Sequence, residues 1–358
     1  MANLHIYEQI KNYLIGLVVE NRDNPDYKLP SETQVEKRFD ASRVSVRKAF
    51  SLLEEEGVIY RIKGKGTFIQ RNNNTYTLTA KENPANCFVF IIPEVSSHFV
   101  QNICSGMLSA VQELGCKLLI LSSSNSTQLE RDNIATAMRL NCAGILLMPV
   151  DENHYNDSIM SLSMSRFPTL FIDRRLYGLN INCVSSDHTY IGYNATEYLL
   201  KNGHEDILFL TLSRQISSVR QRLDGYENAL NDHLQGKYRK YIMFVDGYMD
   251  DTDRLYADIC QYLQDNPQIT GCITGSGNSA LFLIKALRKL NKSIGKDFGV
   301  VFLDDDSNVI CELLDYNIPT IIQNGYQIGN TAVRMLYKFT KSNTPMEDKL
   351  IKLEKALT

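Results

Sequence analysis

Arg43 and Arg47 stand at the start of a segment in which Val46, Ala49, Phe50 and Leu53 recur at helical spacing. A guanidinium on the first turns of a helix can bond guanine bidentately when that helix enters a major groove, and small hydroxyls near helix N-termini hold phosphates. Ser42 and Ser45 flank Arg43, while Ser31 and Thr33 lie in the polar segment before it. Lys63, Gly64, Lys65, Gly66 and Thr67 form a basic tip in which the glycines let the main chain come close to a nucleic-acid backbone or reach a minor groove. These residue types suit double-stranded DNA, with Arg43 and Arg47 as base readers and the hydroxyl and tip residues as backbone holders.

Such side chains need elements to aim them. Pro30 and Ser31 mark a helix start, with Ser31 as N-cap and Glu32 in the first turn, and the helix runs to about Phe39. A turn at Asp40-Ala41-Ser42 precedes the second helix, residues 43–56, which Gly57 ends. Residues 58–62 and 67–69 flank the glycine-rich tip as a hairpin. Upstream, Leu4, Tyr7, Ile10, Leu14, Leu17 and Val18 repeat at three- and four-residue spacing, the pattern of a first helix packed beneath the other two. A cap, a turn, a basic helix start and a hairpin in this order favour a winged helix-turn-helix over a solvated charged helix in an ordinary bundle.

The motifs Leu29-Pro30-Ser31-Glu32, Ser42-Arg43-Val44-Ser45-Val46-Arg47 and Gly64-Lys65-Gly66-Thr67-Phe68-Ile69 resemble the LPSE start, SR-x-(T/S)-V-R helix and GxGTFV wing of the GntR family of bacterial regulators. That resemblance implies DNA contacts at Thr33, Ser42, Arg43, Val44, Arg47, Lys63 and Gly64, with Thr33 in place of the commoner Arg.

The chain has 358 residues and 44% hydrophobic content, enough for two or three folded domains. Its net charge of -3 argues against a nucleic-acid binder until it is divided: residues 1–71 hold 12 Lys and Arg against 10 Asp and Glu, a balance of +2, and the remainder, 26 against 31, carries -5. Eight cysteines lie scattered without metal-ligand spacing, which favours reduced, buried thiols, no metal and a cytoplasmic setting. The N-terminus is charged too early for a signal peptide, and no apolar run is long enough to span a bilayer. The expected division is a DNA-binding head at 1–71, a linker at 72–86 and an effector-binding and dimerisation domain at 87–358.

Past the linker, short apolar runs at 88–92, 117–121, 144–148, 169–172, 207–212, 241–245, 271–274 and 299–303 alternate with amphipathic helices. Alternation of this kind predicts an α/β fold of doubly wound parallel sheets. So many strands exceed one compact sheet, so two lobes are expected, with ligand held at strand carboxyl ends.

Residues 87–342 resemble the sugar-binding core of LacI-type regulators, which share the fold of periplasmic binding proteins. The resemblance rests on Gly144-Ile145-Leu146-Leu147-Met148-Pro149, Pro168-Thr169-Leu170-Phe171-Ile172-Asp173-Arg174, Val184-Ser185-Ser186-Asp187, Arg222-Leu223-Asp224-Gly225-Tyr226, Gly299-Val300-Val301-Phe302-Leu303-Asp304-Asp305 and Pro319-Thr320-Ile321-Ile322-Gln323. It implies a ligand site at His98, Phe99, Ser122 with Ser123 and Ser124, Arg174, Asp187, Arg222, Ser276, Asp304 and Gln323. Arg222 and Asp304 would then supply the donor and acceptor that vicinal hydroxyls require, and Phe99 would cover an apolar ring face. Asp187 could instead simply cap the following helix. Where that family has Asn-Asp, this chain has Gly275-Ser276-Gly277-Asn278, so Asn278 is an alternative to Ser276. The LacI hinge helix is missing, and a GntR head on this core resembles the arabinose-type repressors.

The expected function is that of a homodimeric regulator, a repressor released from operator DNA by a monosaccharide such as a pentose or deoxyhexose, with no cofactor and no membrane partner. A sugar phosphate, a purine and sugar-dependent activation remain alternatives. An enzyme is the least favoured class, since Asp304-Asp305-Asp306 stands without a phosphate loop or nucleophile motif.

Overall fold

The structure, a computed structural model, describes residues 6–21, 24, 27–55, 57–62, 64–70, 85–95, 97–150, 156–212, 216–245, 252–275, 277–303, 317–342 and 344–357. The head comprises α1 (Ile6–Glu20), α2 (Glu32–Phe39), α3 (Arg43–Glu55) and a hairpin of β1 (Ile59–Ile62) and β2 (Gly66–Ile69). Ile10, Leu14, Val35, Val46, Ala49, Phe50 and Leu53 are fully buried, which is the stripe their spacing dictates. The wing pairs antiparallel from Ile59↔Ile69 to Ile62↔Gly66, and the Leu29 N–H donates to the Thr67 carbonyl, tying the start of the α2 segment to the wing. The linker expected at 72–86 lies mostly outside the described residues, and Ala85 already begins a strand.

Beyond the head follow β3 (Ala85–Ile92), α4 (His98–Glu113), β4 (Lys117–Ser122), α5 (Thr127–Arg139), β5 (Cys142–Leu147), α6 (Asp157–Ser165), β6 (Thr169–Ile172) and β7 (Cys183–Ser186). Then come α7 (His188–Lys201), β8 (Ile207–Thr211), α8 (Ser217–Leu234), β9 (Tyr241–Phe244), α9 (Thr252–Asp265), β10 (Gly271–Thr274), α10 (Gly277–Lys289), β11 (Gly299–Phe302), α11 (Gly325–Ser342) and β12 (Lys349–Ile351). One sheet has the order β12-β7-β6-β5-β3-β4 and the other β11-β10-β8-β9. The paired strands run parallel, and the helices between them are the crossovers that parallel pairing requires.

All eight apolar runs form strands. Two further strands, β7 and β12, escape the sequence reading because Val184-Ser185-Ser186 and Lys349-Leu350-Ile351 are short and carry polar residues. β12 is held by its pairing with β7, in the register Val184↔Lys349 to Ser186↔Ile351, and β7 is paired on its other side with β6.

The chain divides into two compact units, one of Met1–Glu94, Leu108–Cys183 and Ala332–Asp348, the other of Val95–Met107, Val184–Thr331 and Lys349–Thr358. In the first unit, one buried apolar cluster runs from α1 through the head into the sheet residues Val89, Ile145 and Phe171. The head is seated there by a face of α1 that its own stripe does not use. Ile15 is fully buried, a Cβ on Gly178 would stand 3.5 Å from both the Asn12 carbonyl and Ile15 Cγ2, and Leu176 is buried in the same cluster. At the other end of the head, a Cβ on Gly57 would stand 3.7 Å from Asp157 Oδ2, so the turn that ends α3 abuts the start of α6.

In the second unit α7 and α8 cross at Gly192 and Gly225. A Cβ on Gly192 would overlap the Arg222 carbonyl oxygen, and one on Gly225 would overlap that of Thr189. Helix backbones come this close only where both lack side chains at the crossing.

Candidate functional site

Ser31 caps α2 as expected, and the cap is reciprocal: the Gln34 N–H donates to Ser31 Oγ (3.3 Å) and the Ser31 N–H to Gln34 Oε1 (2.8 Å). Asp40, in the left-handed region at φ 47°, ends α2, so the turn into α3 is tight. Ser42 then accepts from the Ser45 N–H at 3.3 Å, and the two hydroxyls lie 3.0 Å apart. These bonds spend the hydroxyls of Ser31, Ser42 and Ser45 on helix starts, where they aim the helices. Arg43, Val44 and Arg47 face outward, and Val44 is 77% exposed. An aliphatic side chain left that bare beside two arginines suits contact with a thymine methyl.

Arg47 has an unanticipated partner. Its Nε lies 3.2 Å from Glu32 Oε2, while Glu32 Oε1 lies 3.4 Å from Arg61 Nη1, and Arg61 Nε reaches Glu54 Oε2 at 3.2 Å. Glu32 thus links the starts of α2 and α3 to the wing, a role the sequence signals only as an acid in a first turn. Thr33 is exposed one position on. In the wing, Gly64 and Gly66 adopt φ 78° and 130°, conformations that favour glycine. Lys65 is exposed and Thr67 half-buried, while Lys63 lies outside the described residues. Lys28, absent from the sequence-based set, lies across the wing, where a Cβ on Gly66 would overlap its Cε. It adds a cation to this face.

The expected ligand residues fall in both units. In the first, Ser122 ends β4. Its Oγ donates to the Pro93 carbonyl (3.2 Å) and accepts from the Ser124 N–H (3.2 Å), so this hydroxyl braces loops. Ser123 is fully buried, and Ser124 is exposed at φ 46°. Arg174 follows β6 half-buried, and its buried Nε has no hydrogen-bond partner among the described residues. A buried guanidinium donor without an acceptor is costly.

In the second unit, His98 and Phe99 open α4. His98 is exposed, with Nδ1 3.5 Å from Asn102 Nδ2, and a Cβ on Gly325 would meet the Phe99 carbonyl oxygen at 2.8 Å and Cδ2 at 3.2 Å. Phe99 therefore packs on the start of α11. Asp187 is exposed and caps α7, accepting from the Tyr190 N–H at 2.9 Å. Arg222 and Gln323 are buried, at 7% and 4% exposure. Ser276 and Asp304 lie outside the described residues, as does the side chain of Asn278. Arg222 Nε donates to Nδ1 of His188 at 3.4 Å, and His188 is itself 1% exposed. His188 was not anticipated, because one histidine beside a helix cap carries no periodicity.

A winged head with outward arginines, joined to an α/β core with buried guanidinium and amide groups, defines a DNA-binding regulator with a small-molecule-binding core. The chain belongs to the periplasmic binding protein domain family, which residues 88–344 match, and its residues 6–69 match the gntR family of bacterial regulatory proteins. Among its relatives is the arabinose metabolism transcriptional repressor of Geobacillus stearothermophilus, 23% identical over 94% of this chain and 92% of that one. Similar solved structures include a periplasmic binding ribose operon repressor protein from Lactobacillus acidophilus, with TM-score 0.63 at 20% identity over 76% of this chain and 96% of that one. Another is a LacI family transcriptional regulator from Enterococcus faecium with bound ribose, with TM-score 0.62 at 19% identity over 75% and 97%. These likenesses establish the core fold. The gntR family that the head matches is one of bacterial regulators, and the relatives are transcriptional regulators and not enzymes; no helix among the described residues is long and apolar enough to cross a membrane.

Proposed function

We propose that the chain is a repressor of carbohydrate-utilisation genes that leaves its operator when a neutral monosaccharide, arabinose or another pentose or deoxyhexose, binds the core. The observation that carries this reading is the pair of buried polar side chains Arg222 and Gln323 in one unit, at 7% and 4% exposure. Such groups match a ligand rich in hydroxyls, each of which accepts as well as donates. The choice among sugars follows the name of the Geobacillus relative.

On this reading the chain acts in the cytoplasm as a homodimer on a near-palindromic operator, because one recognition helix contacts few base pairs and two-fold symmetry doubles them. Sugar and operator oppose each other, so by linkage each weakens the other's binding by the same factor. Fluorescence anisotropy on operator DNA at fixed salt, with and without saturating L-arabinose, tests this. Weaker operator binding with sugar is expected; equal affinities would remove the switch, and tighter binding would make the sugar a co-repressor or an activating ligand.

A further inference from the structure

Arg61 is the fixed end of a chain of charge in the head. It lies on β1 with its guanidinium 5.6 Å from the Phe50 ring centroid, its Nε 3.2 Å from Glu54 Oε2 and its Nη1 3.4 Å from Glu32 Oε1. Glu32, at the first position of α2, accepts on its other oxygen from Arg47 Nε at 3.2 Å. The Glu32 side chain is 25% exposed and that of Arg47 57%. The carboxylate is thus anchored to the wing, and the arginine of α3 is the looser end of the chain.

A carboxylate on this face is otherwise a liability, because phosphates carry most of the affinity of a protein for DNA and an acid beside them repels. The first turn of α2 gains from a negative charge, but that gain requires neither guanidinium contact. Resting on the reading above that the chain binds operator DNA and on Arg47 as a base reader, we propose that Glu32 is the positioning residue of Arg47 and so sets base preference. A pair this exposed adds little to the stability of the fold, so its effect lies in orientation. A long side chain loses rotamer freedom when a base fixes it, and a guanidinium already held at Nε loses less. Through Arg61 the same carboxylate ties that guanidinium to the hairpin, so helix and wing meet DNA in one arrangement.

Gln in place of Glu32 keeps the length of the side chain but has a single acceptor oxygen, and its NH2 group would face a guanidinium donor to donor. The probe is the duplex that the full parent chain enriches from a random pool, beside a scrambled duplex of the same length at the same salt. Glu32→Gln should bind the enriched duplex about three- to tenfold more weakly than the parent. It should bind the scrambled duplex no more weakly, since a negative charge has gone. Preference should relax at the base pair to which Arg47→Ala has become indifferent, and at no other. In the Arg47→Ala background, Glu32→Gln should alter both duplexes by the same factor.

Undiminished or tighter binding of the enriched duplex by Glu32→Gln, or a selective loss that persists in Arg47→Ala, overturns the proposal. Equal losses on both duplexes together with a lower Tm would make Glu32 a brace of the head and overturn it as well. A parent that enriches no sequence removes base reading by Arg47, and this proposal with it; enrichment that Glu32→Gln leaves unchanged removes this proposal alone.

Discussion

Arg47 illustrates how magnitudes decide between competing partners. Its ion pair with Glu32 is more than half exposed on the arginine side, and exposed pairs contribute about 0–1 kcal/mol, whereas a bidentate guanine contact is worth about 1–3 kcal/mol. Glu32 can therefore park Arg47 without withholding it from DNA. Replacing Arg43 or Arg47 by Ala should cost about 1–3 kcal/mol at the cognate operator and relax base preference, while Lys65→Ala should weaken cognate and unrelated DNA alike and flatten the salt dependence. Titrations on matched and scrambled duplexes distinguish the two patterns. At Asp348, burial pushes the carboxyl pKa up, but Arg175 Nη2 at 2.8 Å and the Cys183 N–H at 2.9 Å outweigh it and hold the pKa below the usual carboxylate value. A depressed folded pKa stabilises above the unfolded value and ceases to as pH falls through the folded one. Asp348→Asn should accordingly lower Tm at pH 7, by no more than about 1 kcal/mol in stability given the exposure of the pair, and match the parent once the pH is well below about 4.

At the scale of elements, two glycines in helices behave in opposite ways. Gly225 lies where α8 touches α7, and an added Cβ would overlap the Thr189 carbonyl, an atom of a helix backbone that cannot yield alone. Gly225→Ala should destabilise by roughly 1–3 kcal/mol or more and displace Arg222, weakening sugar binding as well. Gly16 lies within α1, where an added Cβ would meet nothing within 4 Å, so Gly16→Ala should gain about 0.5–1 kcal/mol from helix propensity and leave DNA binding intact. Thermal unfolding of the two full-length variants beside the parent checks both signs.

For the molecule as a whole, the seat of the head matters most. A head joined only through a polar linker could absorb any movement of the core, but here α1 rests on the loop after β6, and that loop also carries Arg174. Ile15→Ala should remove about 2–5 kcal/mol of packing at this seat. Hydrogen exchange should then quicken in α1 and at residues 176–179 while α3 stays protected. Loss confined to α2 and α3 would instead place Ile15 in the internal core of the head.

The sequence by itself determined the elements whose signals are local. Ser31 caps, Gly57 ends a helix, Val46 to Leu53 recur every three or four residues, and apolar runs such as 207–212 are short and bounded as buried strands are. It also named the outward Arg43 and Arg47, since polarity at a helix start follows from the chain alone. Tertiary structure decided whatever depends on a partner distant in sequence. β12 is a strand because Lys349 meets Val184 across 165 residues of chain, and Ile15, outside the stripe of its helix, is buried because Leu176 and Gly178 cover it. His188 meets Arg222 only because Gly192 and Gly225 let two helices touch. Periodicity records which face of an element is apolar, but not what that face will meet, and burial, pairing and side-chain orientation are properties of the meeting.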